Sequence, residues 1–489
     1  MLSLISPDIQ PSSAYQGASL TLPNPSGVLE ATSVEAGRHG LRHQVLSPME
    51  TLGQSISTIA PSTSPTMTIP LVFAVAGNGT WLAYLLATLS VLLIALCIRS
   101  FARDSASPGS LYVYATSTLP PAVGALTAWA LLLAYIATGS SVIGGFVNYG
   151  MVVLQTLTPF RSTSLLTPVL LAVSVTALSV WIAWRDVRIS ARLMLWIEGS
   201  SALLIAIVLA AILGRHGFHV DLQQLRLQGA SVQGIRLGMV LALFSFVGFE
   251  SATTLGHEAH QPLRTIPRAV LQSAILCGLF FILAAYGETL GYRPTGNNLG
   301  ETTAPFHLLS GLVGMPVFGP LVDIGVLISM FAATLGCITA AARVLLLMSH
   351  NRLCHQSLRR IHPRNQTPGA AVLVVGTLAG LPAAWLAGHG ASGSDIYGWM
   401  GSFATYGFIT VYGLVAIALP IALHRRHKLN PGYVALSVAA TAAMLLALEG
   451  SLYPIPPRPY SWLPYLYLAY LAVTSAWFLA TRHRSSKLG

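Results

Sequence analysis

Long apolar runs separated by short polar segments make up most of this sequence. A helix needs about 20 consecutive apolar residues to cross the roughly 30 Å hydrocarbon core of a bilayer. The runs predict twelve membrane spans, numbered one to twelve, with approximate limits 48–76, 80–101, 121–150, 165–184, 191–214, 235–256, 268–291, 316–343, 369–388, 396–423, 431–453 and 462–481. The pattern therefore predicts an all-α polytopic membrane protein with 12 transmembrane helices.

The composition excludes an ordinary soluble protein. Of the 489 residues, 54% are hydrophobic and only 8% are charged, and the mean hydropathy is +0.66. A soluble domain carries about 25% charged residues. The formal net charge is +11, but the basic residues are scattered between the apolar runs instead of forming one patch. We therefore expect no nucleic-acid partner.

The Lys and Arg residues predict the orientation. When the N-terminus is placed inside the cell, the cytoplasmic segments carry 20 of the 26 Lys and Arg residues. An excess of positive charge is typical of cytoplasmic loops. If the number of spans were changed by one, the Lys- and Arg-rich segments would no longer all lie on the same side of the membrane. We predict a multi-pass protein of the cell inner (plasma) membrane with both termini in the cytoplasm.

The same pattern divides the chain into three regions. Residues 1–45 are rich in Ser, Pro and Gly without a sustained apolar run, which predicts a disordered cytoplasmic N-terminal tail. Residues 46–425 contain helices one to ten, the predicted core. Residues 426–489 add helices eleven and twelve and a short cytoplasmic C-terminal tail.

Two of the predicted spans contain residues that disfavour a continuous helix. Span one contains Pro61 and Pro65, and a proline lacks an amide donor and clashes with the carbonyl four residues earlier. Span six contains Gly248 and Glu250, which are costly at bilayer depth unless they face a protein-lined cavity. Because these positions lie five helices apart, we predict broken helices one and six of an inverted five-plus-five repeat with a site between them. The alternative is a proline-kinked helix whose hydroxyl groups bond to its own backbone.

The region around span six also carries a specific motif. Residues 245–251 read SFVGFES and are followed by Glu258, Pro262 and Pro267, with Gln261 between them. This pattern closely resembles the sixth transmembrane helix of the amino acid–polyamine–organocation (APC) superfamily of permeases, where an Asn usually stands in place of Gln261.

The resemblance covers roughly residues 45–425. The segment 107–114 looks like the family's entry to span three, and residues 341–368 resemble the loop after span eight. One departure concerns span one, where the family usually has a glycine-rich segment and this chain has residues 60–65 with two prolines.

The resemblance implies an APC/LeuT-like fold and a secondary active transporter for amino acids or related amines that works by alternating access. In the family, the break in span one receives the substrate carboxylate and the carbonyls of span six receive the amino group, which agrees with the polarity of helix ends. An aromatic residue, here Phe244, covers the substrate. The implied substrate-binding residues are Ala60, Pro61, Ser62, Thr63, Ser64, Phe244, Phe246, Val247, Gly248 and Phe249.

Acidic residues in the spans are candidates for proton coupling. Glu250 follows the break in span six, and its family equivalent is implicated in proton sensing or gating. A carboxyl group in a low-dielectric cavity favours its protonated form. Glu198 lies early in span five, where some proton-coupled relatives have a lysine slightly deeper; it is the second candidate for coupling or gating. Glu288, Asp323 and Glu449 lie near outer ends of spans, where we expect interfacial or helix-end roles.

We expect coupling to protons, or exchange, rather than coupling to sodium. Ser329 and Thr334 in span eight are not the paired hydroxyl groups of sodium-dependent relatives. The alternative function for the same fold is a non-transporting membrane sensor or an exchanger subunit that depends on a partner chain. Selectivity is expected from aromatic residues in spans three, six, eight and ten: Tyr135, Phe244, Phe331, and Phe403 or Tyr406.

The sequence supports no other chemistry. It resembles no nucleotide-binding loop, catalytic triad or HExxH helix, so we predict no enzyme and no cofactor. His350, His355 and His362 lie in a basic loop that is more typical of a solvated hairpin than of a metal site. The four cysteines have no metal-ligand spacing and are expected to be reduced. The predicted partners are a small-molecule substrate and the lipid bilayer, with a homodimer left open.

Overall fold

The computed structural model describes residues 44–105, 110–157, 164–185, 187–217, 219–362, 364–453, 455–456 and 458–486. The predicted tail up to residue 43 and positions 106–109 of the span-three entry motif lie outside the described residues. The α-helices are α1 Pro48–Ile59, α2 Ile69–Ala76, α3 Thr80–Ala102, α4 Ser110–Thr116, α5 Pro121–Leu157, α6 Leu166–Arg185, α7 Val187–Arg215, α8 Leu222–Leu225, α9 Val232–Phe244, α10 Pro262–Tyr292, α11 Pro305–Leu312, α12 Phe318–His350, α13 Gly369–Gly388, α14 Gly393–Arg425, α15 Pro431–Leu452 and α16 Leu463–Ser486.

Ten helical stretches in the described part of the chain are long and apolar enough to cross a membrane. One of them, Pro48–Ala102, contains both predicted spans one and two, which are joined by a 3-10 turn at Gly77–Gly79. Val232–Phe244 is apolar but shorter. The prediction of an all-helical membrane protein is confirmed.

Several helices are longer than the predicted spans. α5 extends beyond residue 150 to Leu157, α10 begins at Pro262 instead of residue 268, and α12 continues beyond residue 343 to His350. Apolar runs mark the limits of the bilayer core and not those of the helix. A helix continues past the core wherever water or side chains satisfy its terminal groups.

Among the described residues, the predicted spans one and six are not formed by one continuous α-helix. Span one consists of α1, a π-helical turn at Ser64–Thr68, and α2. Span six consists of α9 and a 3-10 helix at Ser251–Glu258. α1 packs against α7, α10 and α12, and α5 runs along α12 and α14. The interruption in span one therefore lies inside the bundle, where its residues are buried.

The interfacial role expected for Glu288 and Asp323 is wrong, because both side chains are buried; the helix-end alternative stays a prediction. An apolar run locates a residue along the membrane normal but does not show which face packs against neighbouring helices. Glu449 fits its expectation: it is about half exposed and pairs with Arg236 at 3.1 Å near the end of α15.

The residues just before α1 pair with the end of span six, and we call this contact the N-terminal junction. Leu46 and Ala259 form an isolated parallel bridge. Three of its backbone hydrogen bonds, each 2.8 Å, run from the Gln44 amide to the His257 carbonyl, from the Val45 amide to the Glu258 carbonyl, and from the His260 amide to the Leu46 carbonyl.

Candidate substrate and coupling site

The interruption in span one is stabilised by its own hydroxyl groups. Ala60 ends α1 in a left-handed conformation with φ 51°. The Thr63 hydroxyl donates to the Ala60 carbonyl at 2.7 Å, and the Thr66 hydroxyl donates to the Ser62 carbonyl at 2.9 Å. These bonds take the place of amide donors that a regular helix would supply. The Ser64 hydroxyl is buried and has no partner among the described residues, so it is available to a ligand.

The interruption in span six begins directly after Phe244, where α9 ends. Gly248 has a φ of +98°, a backbone conformation that residues with a Cβ rarely adopt. The Phe249 carbonyl accepts hydrogen bonds from the hydroxyls of Ser55 at 2.7 Å and Ser273 at 3.3 Å. One of the carbonyls expected to bind an ammonium group is therefore already paired.

The two interrupted spans are in direct contact. The Ser55 hydroxyl also accepts from the Ala252 amide at 3.1 Å. The Ser251 hydroxyl donates to the Gln54 carbonyl at 3.1 Å and lies 3.0 Å from the Thr58 hydroxyl. A hydroxyl-rich face of α1 thus binds both the backbone and the side chains of span six.

Glu250 is 0% exposed and both of its carboxylate oxygens are hydrogen-bonded. The Tyr135 hydroxyl of α5 donates to Oε1 and the Tyr412 hydroxyl of α14 donates to Oε2, each at 2.7 Å. An ionised carboxylate accepts from two donors, whereas a protonated carboxyl becomes a donor itself. The contacts of span six with α5 and α14 therefore depend on whether Glu250 carries a proton.

Glu198 of α7 is also buried and lies against the interruption in span one. The Ser62 hydroxyl donates to its Oε2 at 3.2 Å, and the Ser329 hydroxyl of α12 donates to its Oε1. The two hydroxyl oxygens lie 2.5 Å apart. The sequence places Ser62 at a substrate carboxylate, but the structure places its side chain beside a carboxylate of the protein.

Phe244 lies against α14 at the N-terminal side of the break in span six. Its ring meets the Tyr397 ring edge-to-face with centroids 5.4 Å apart. Both rings line a mostly apolar cavity of about 250 Å³, which Thr68 and Tyr406 also line. Of the aromatic residues expected to determine selectivity, Tyr406 therefore joins Phe244 at this cavity, whereas Tyr135 binds Glu250.

A buried ion pair joins the end of span six to α12. The Arg343 Nε donates to the Glu258 Oε2 at 2.6 Å, and the two side chains are 3% and 2% exposed. Arg343 also donates to the Thr339 carbonyl at 3.1 Å. Glu258 belongs to the span-six motif, but its role is not visible in the sequence, because its partner lies 85 positions away.

Metal binding is not suggested by the described residues, which contain no cluster of three or more His, Cys, Asp or Glu side chains able to hold an ion. The four cysteines are free thiols, three of them buried.

Comparisons with known proteins agree with a transporter. The amino acid permease family model matches residues 49–481. The branched-chain amino acid permease BcaP of Bacillus subtilis is 23% identical over 63% of this chain and 67% of its own length. The low-affinity putrescine importer PlaP of Escherichia coli is 25% identical over 61% of this chain and 65% of its own length. The matches thus span about two thirds of these curated relatives.

A solved structure, MhsT in complex with L-phenylalanine, shares the fold. The TM-score is 0.58 at 14% sequence identity, with 84% of this chain and 99% of that chain covered. At this identity the likeness concerns the arrangement of helices alone.

Proposed function

The chain belongs to the amino acid permease family, and we propose that it carries amino acids or related amines across the membrane through a site between spans one and six. The protein is a multi-pass membrane transporter and not an enzyme. The observation that carries the proposal is the direct contact between the two interrupted spans, because interrupted helices present backbone groups to a substrate at mid-membrane.

The proposed architecture has twelve spans. The ten apolar stretches become twelve when Pro48–Ala102 is counted as two spans and Val232–Phe244, with the 3-10 helix after it, is counted as span six. Spans one and six then lie five helices apart, as in an inverted five-plus-five repeat. We assign residues 46–425 to this repeat, and residues 426–489 to the last two helices and the C-terminal tail.

We also propose that both termini, including the tail of residues 1–45, lie in the cytoplasm of a cell whose inner (plasma) membrane holds the protein. The support is the bias of positive charge, since 20 of the 26 Lys and Arg residues fall on that side.

The proposed substrate has an ammonium group, as amino acids and putrescine do. In this proposal the unpaired Ser64 hydroxyl and the backbone at Ala60 bind a substrate carboxylate, and carbonyls near Val247 bind the ammonium group. Phe244 covers the bound substrate. Ser62 acts through Glu198, because its hydroxyl already donates to that side chain.

Glu250 and Glu198 are the proposed coupling residues. Each is buried, and each is bound by side chains from two other spans. Gain or loss of a proton at either acid therefore changes contacts between helices, and such a change can bias one conformation over another.

Transport by the purified protein in liposomes tests the function. We expect uptake or exchange of at least one member of a panel of branched-chain, aromatic and cationic amino acids and of diamines including putrescine. Protein-free liposomes are the control, and sodium-free buffer separates proton coupling from sodium coupling. Binding without flux would support the alternative, a non-transporting sensor. A panel that gives neither binding nor flux would contradict the carrier.

We expect Glu250→Gln to flatten the dependence of transport on pH while folded protein remains in the membrane. Glutamine keeps the shape and one acceptor oxygen but has no proton to lose. Initial uptake rates over a pH series, divided by the amount of folded protein, measure the effect. Glu449→Gln is the matched control, because the same change at an exposed position should leave the profile intact. An unchanged profile for Glu250→Gln would leave Glu198 as the coupling residue.

A further inference from the structure

The outer half of the bundle contains a buried acid that the proposed mechanism does not use. Glu288 of α10 is 0% exposed, and neither carboxylate oxygen has a hydrogen-bond partner among the described residues. Phe281, Glu288 and Tyr292 lie at helical spacing on one face of α10. The Phe281 ring contacts Phe246 of span six, with centroids 5.2 Å apart. Glu288 therefore lies two turns outward from the break in span six.

Among the described residues, no cation acts on Glu288. The phenols of Tyr84, Tyr149 and Tyr292 lie within its electrostatic reach, and Leu209 and Ile212 of α7 pack beside the glycines of the same helical turns. Arg293, the nearest basic residue along the chain, donates to Asp221 at 2.7 Å.

Arg293 binds Asp221 in the outer loop and also donates to the Asn78 Oδ1 at 3.0 Å. Partial burial alone would raise the pKa of Asp221, but the hydrogen bond and charge of Arg293 outweigh it and lower this pKa. The carboxylate of Asp221 thus stays ionised and keeps Arg293 paired.

A second buried acid connects this region to the surface. Asp323 of α12 is 1% exposed; its Oδ2 lies 2.7 Å from the His307 Nδ1, and its Oδ1 has no partner among the described residues. The His307 side chain is 44% exposed. Tyr149 lies within electrostatic reach of both Asp323 and Glu288. His307 and Asp323 therefore connect the outer surface to the interior of the bundle.

We propose that Glu288 and Asp323 form a proton-binding site that fills from the outer surface through His307. The proposal rests on the carrier function and adds the place where the outer proton binds. Glu288 has no hydrogen-bond partner on either oxygen among the described residues, and Asp323 has one only on Oδ2. A buried carboxylate oxygen without a donor is costly, and binding a proton removes the charge. A multivalent metal ion is not favoured, since the described acids and histidines form no metal cluster.

The site has a direct structural link to span one. The Tyr149 hydroxyl donates to the Thr66 carbonyl at 3.3 Å, and Thr66 belongs to the π-helical turn that follows the break. When Glu288 or Asp323 changes charge, the electrostatic environment of this phenol changes, and with it the bond that holds the outer part of span one. Proton binding outside is thereby connected to the substrate site.

Uptake into right-side-out and inside-out membrane vesicles tests the proposal, with a pH-sensitive dye in the lumen to record proton movement. In the wild type, lower pH on the outer face should increase uptake, and substrate should drive proton entry. Glu288→Gln, fixed in the neutral state, should lose both responses while it retains substrate exchange and the response to pH on the inner face. Asp323→Asn should shift the outer response toward lower pH.

Two outcomes would contradict the proton-binding site and still be consistent with the carrier function. One is a Glu288→Gln variant that exchanges substrate and still moves protons as the wild type does. Another is uptake that follows a sodium gradient and loses this dependence in Glu288→Gln. If Glu288→Gln does not fold, Glu288→Asp replaces it, and infrared difference spectra of the wild type should show a protonated carboxylic acid band that this variant shifts. Absence of exchange in the wild type would instead contradict the carrier itself.

Discussion

Gly248→Ala is expected to lower the transport rate about a hundredfold, equivalent to ~3 kcal/mol. Gly248 has a φ of +98°, and a Cβ there would meet the Thr58 side chain and lie 3.1 Å from the Thr58 backbone carbon. Strain from such a backbone conformation costs about 1–3 kcal/mol. Gly336 also lies close to Thr58, since a Cβ added to Gly336 would lie 2.9 Å from the Thr58 hydroxyl. The initial uptake rate per folded protein measures the loss.

Gly311→Ala is the matched control for this variant. Gly311 lies in α11 with nothing within 4 Å of an added Cβ, so the same substitution should leave transport unchanged. Equal rates for Gly248→Ala and the wild type would show that spans one and six do not need their close approach.

Glu258→Leu is expected to reduce the free energy of unfolding by about 3–5 kcal/mol, since it leaves a buried guanidinium without its counter-charge. Arg343 and Glu258 are both nearly inaccessible to solvent, and the remaining bond from Arg343 to the Thr339 carbonyl does not neutralise the charge. Thermal unfolding in detergent measures the effect. The double variant Glu258→Leu with Arg343→Met should recover most of the stability, because apolar side chains of similar volume can replace a buried pair.

The exposed pair of Asp104 and Arg426 is the comparison for the buried one. These side chains are 33% and 29% exposed, with 2.5 Å between the charged atoms. Asp104→Asn should cost at most about 1 kcal/mol, because solvent screens a surface ion pair. If Asp104→Asn and Glu258→Leu reduced the free energy of unfolding by similar amounts, burial of the Arg343–Glu258 pair would not determine how much that pair stabilises the protein.

The helical architecture could be predicted because a chain inside a bilayer must satisfy its backbone internally, and a helix does so within one segment. Residues that disfavour a helix also predicted where two of the helices end. α1 ends at Ile59, two residues before Pro61, and α9 ends at Phe244, four residues before Gly248. Such residues act on the backbone nearby, so their effect is visible in the sequence.

The partners of the buried acids could not be predicted in this way. Tyr135 and Tyr412 lie 115 and 162 positions from Glu250, and only the packing of three helices brings them together. The interfacial role predicted for Glu288 was wrong for a related reason. Its position near the end of a span suggested the membrane interface, whereas the direction of its side chain around the helix axis places it inside the helix bundle. That direction depends on which neighbours α10 meets, and an apolar run on all sides does not encode it.

The N-terminal junction consists of main-chain hydrogen bonds, which makes it independent of most side chains in the segment that forms it. An alanine scan across residues 44–46 would remove none of the main-chain donors and acceptors of those bonds, and it would report on the packing of Val45 and Leu46 instead. Only proline removes an amide donor, so substitutions with other residues do not test the hydrogen bonds of this contact. The attachment of the segment before α1 to the end of span six is therefore encoded in the backbone more than in the identity of its side chains.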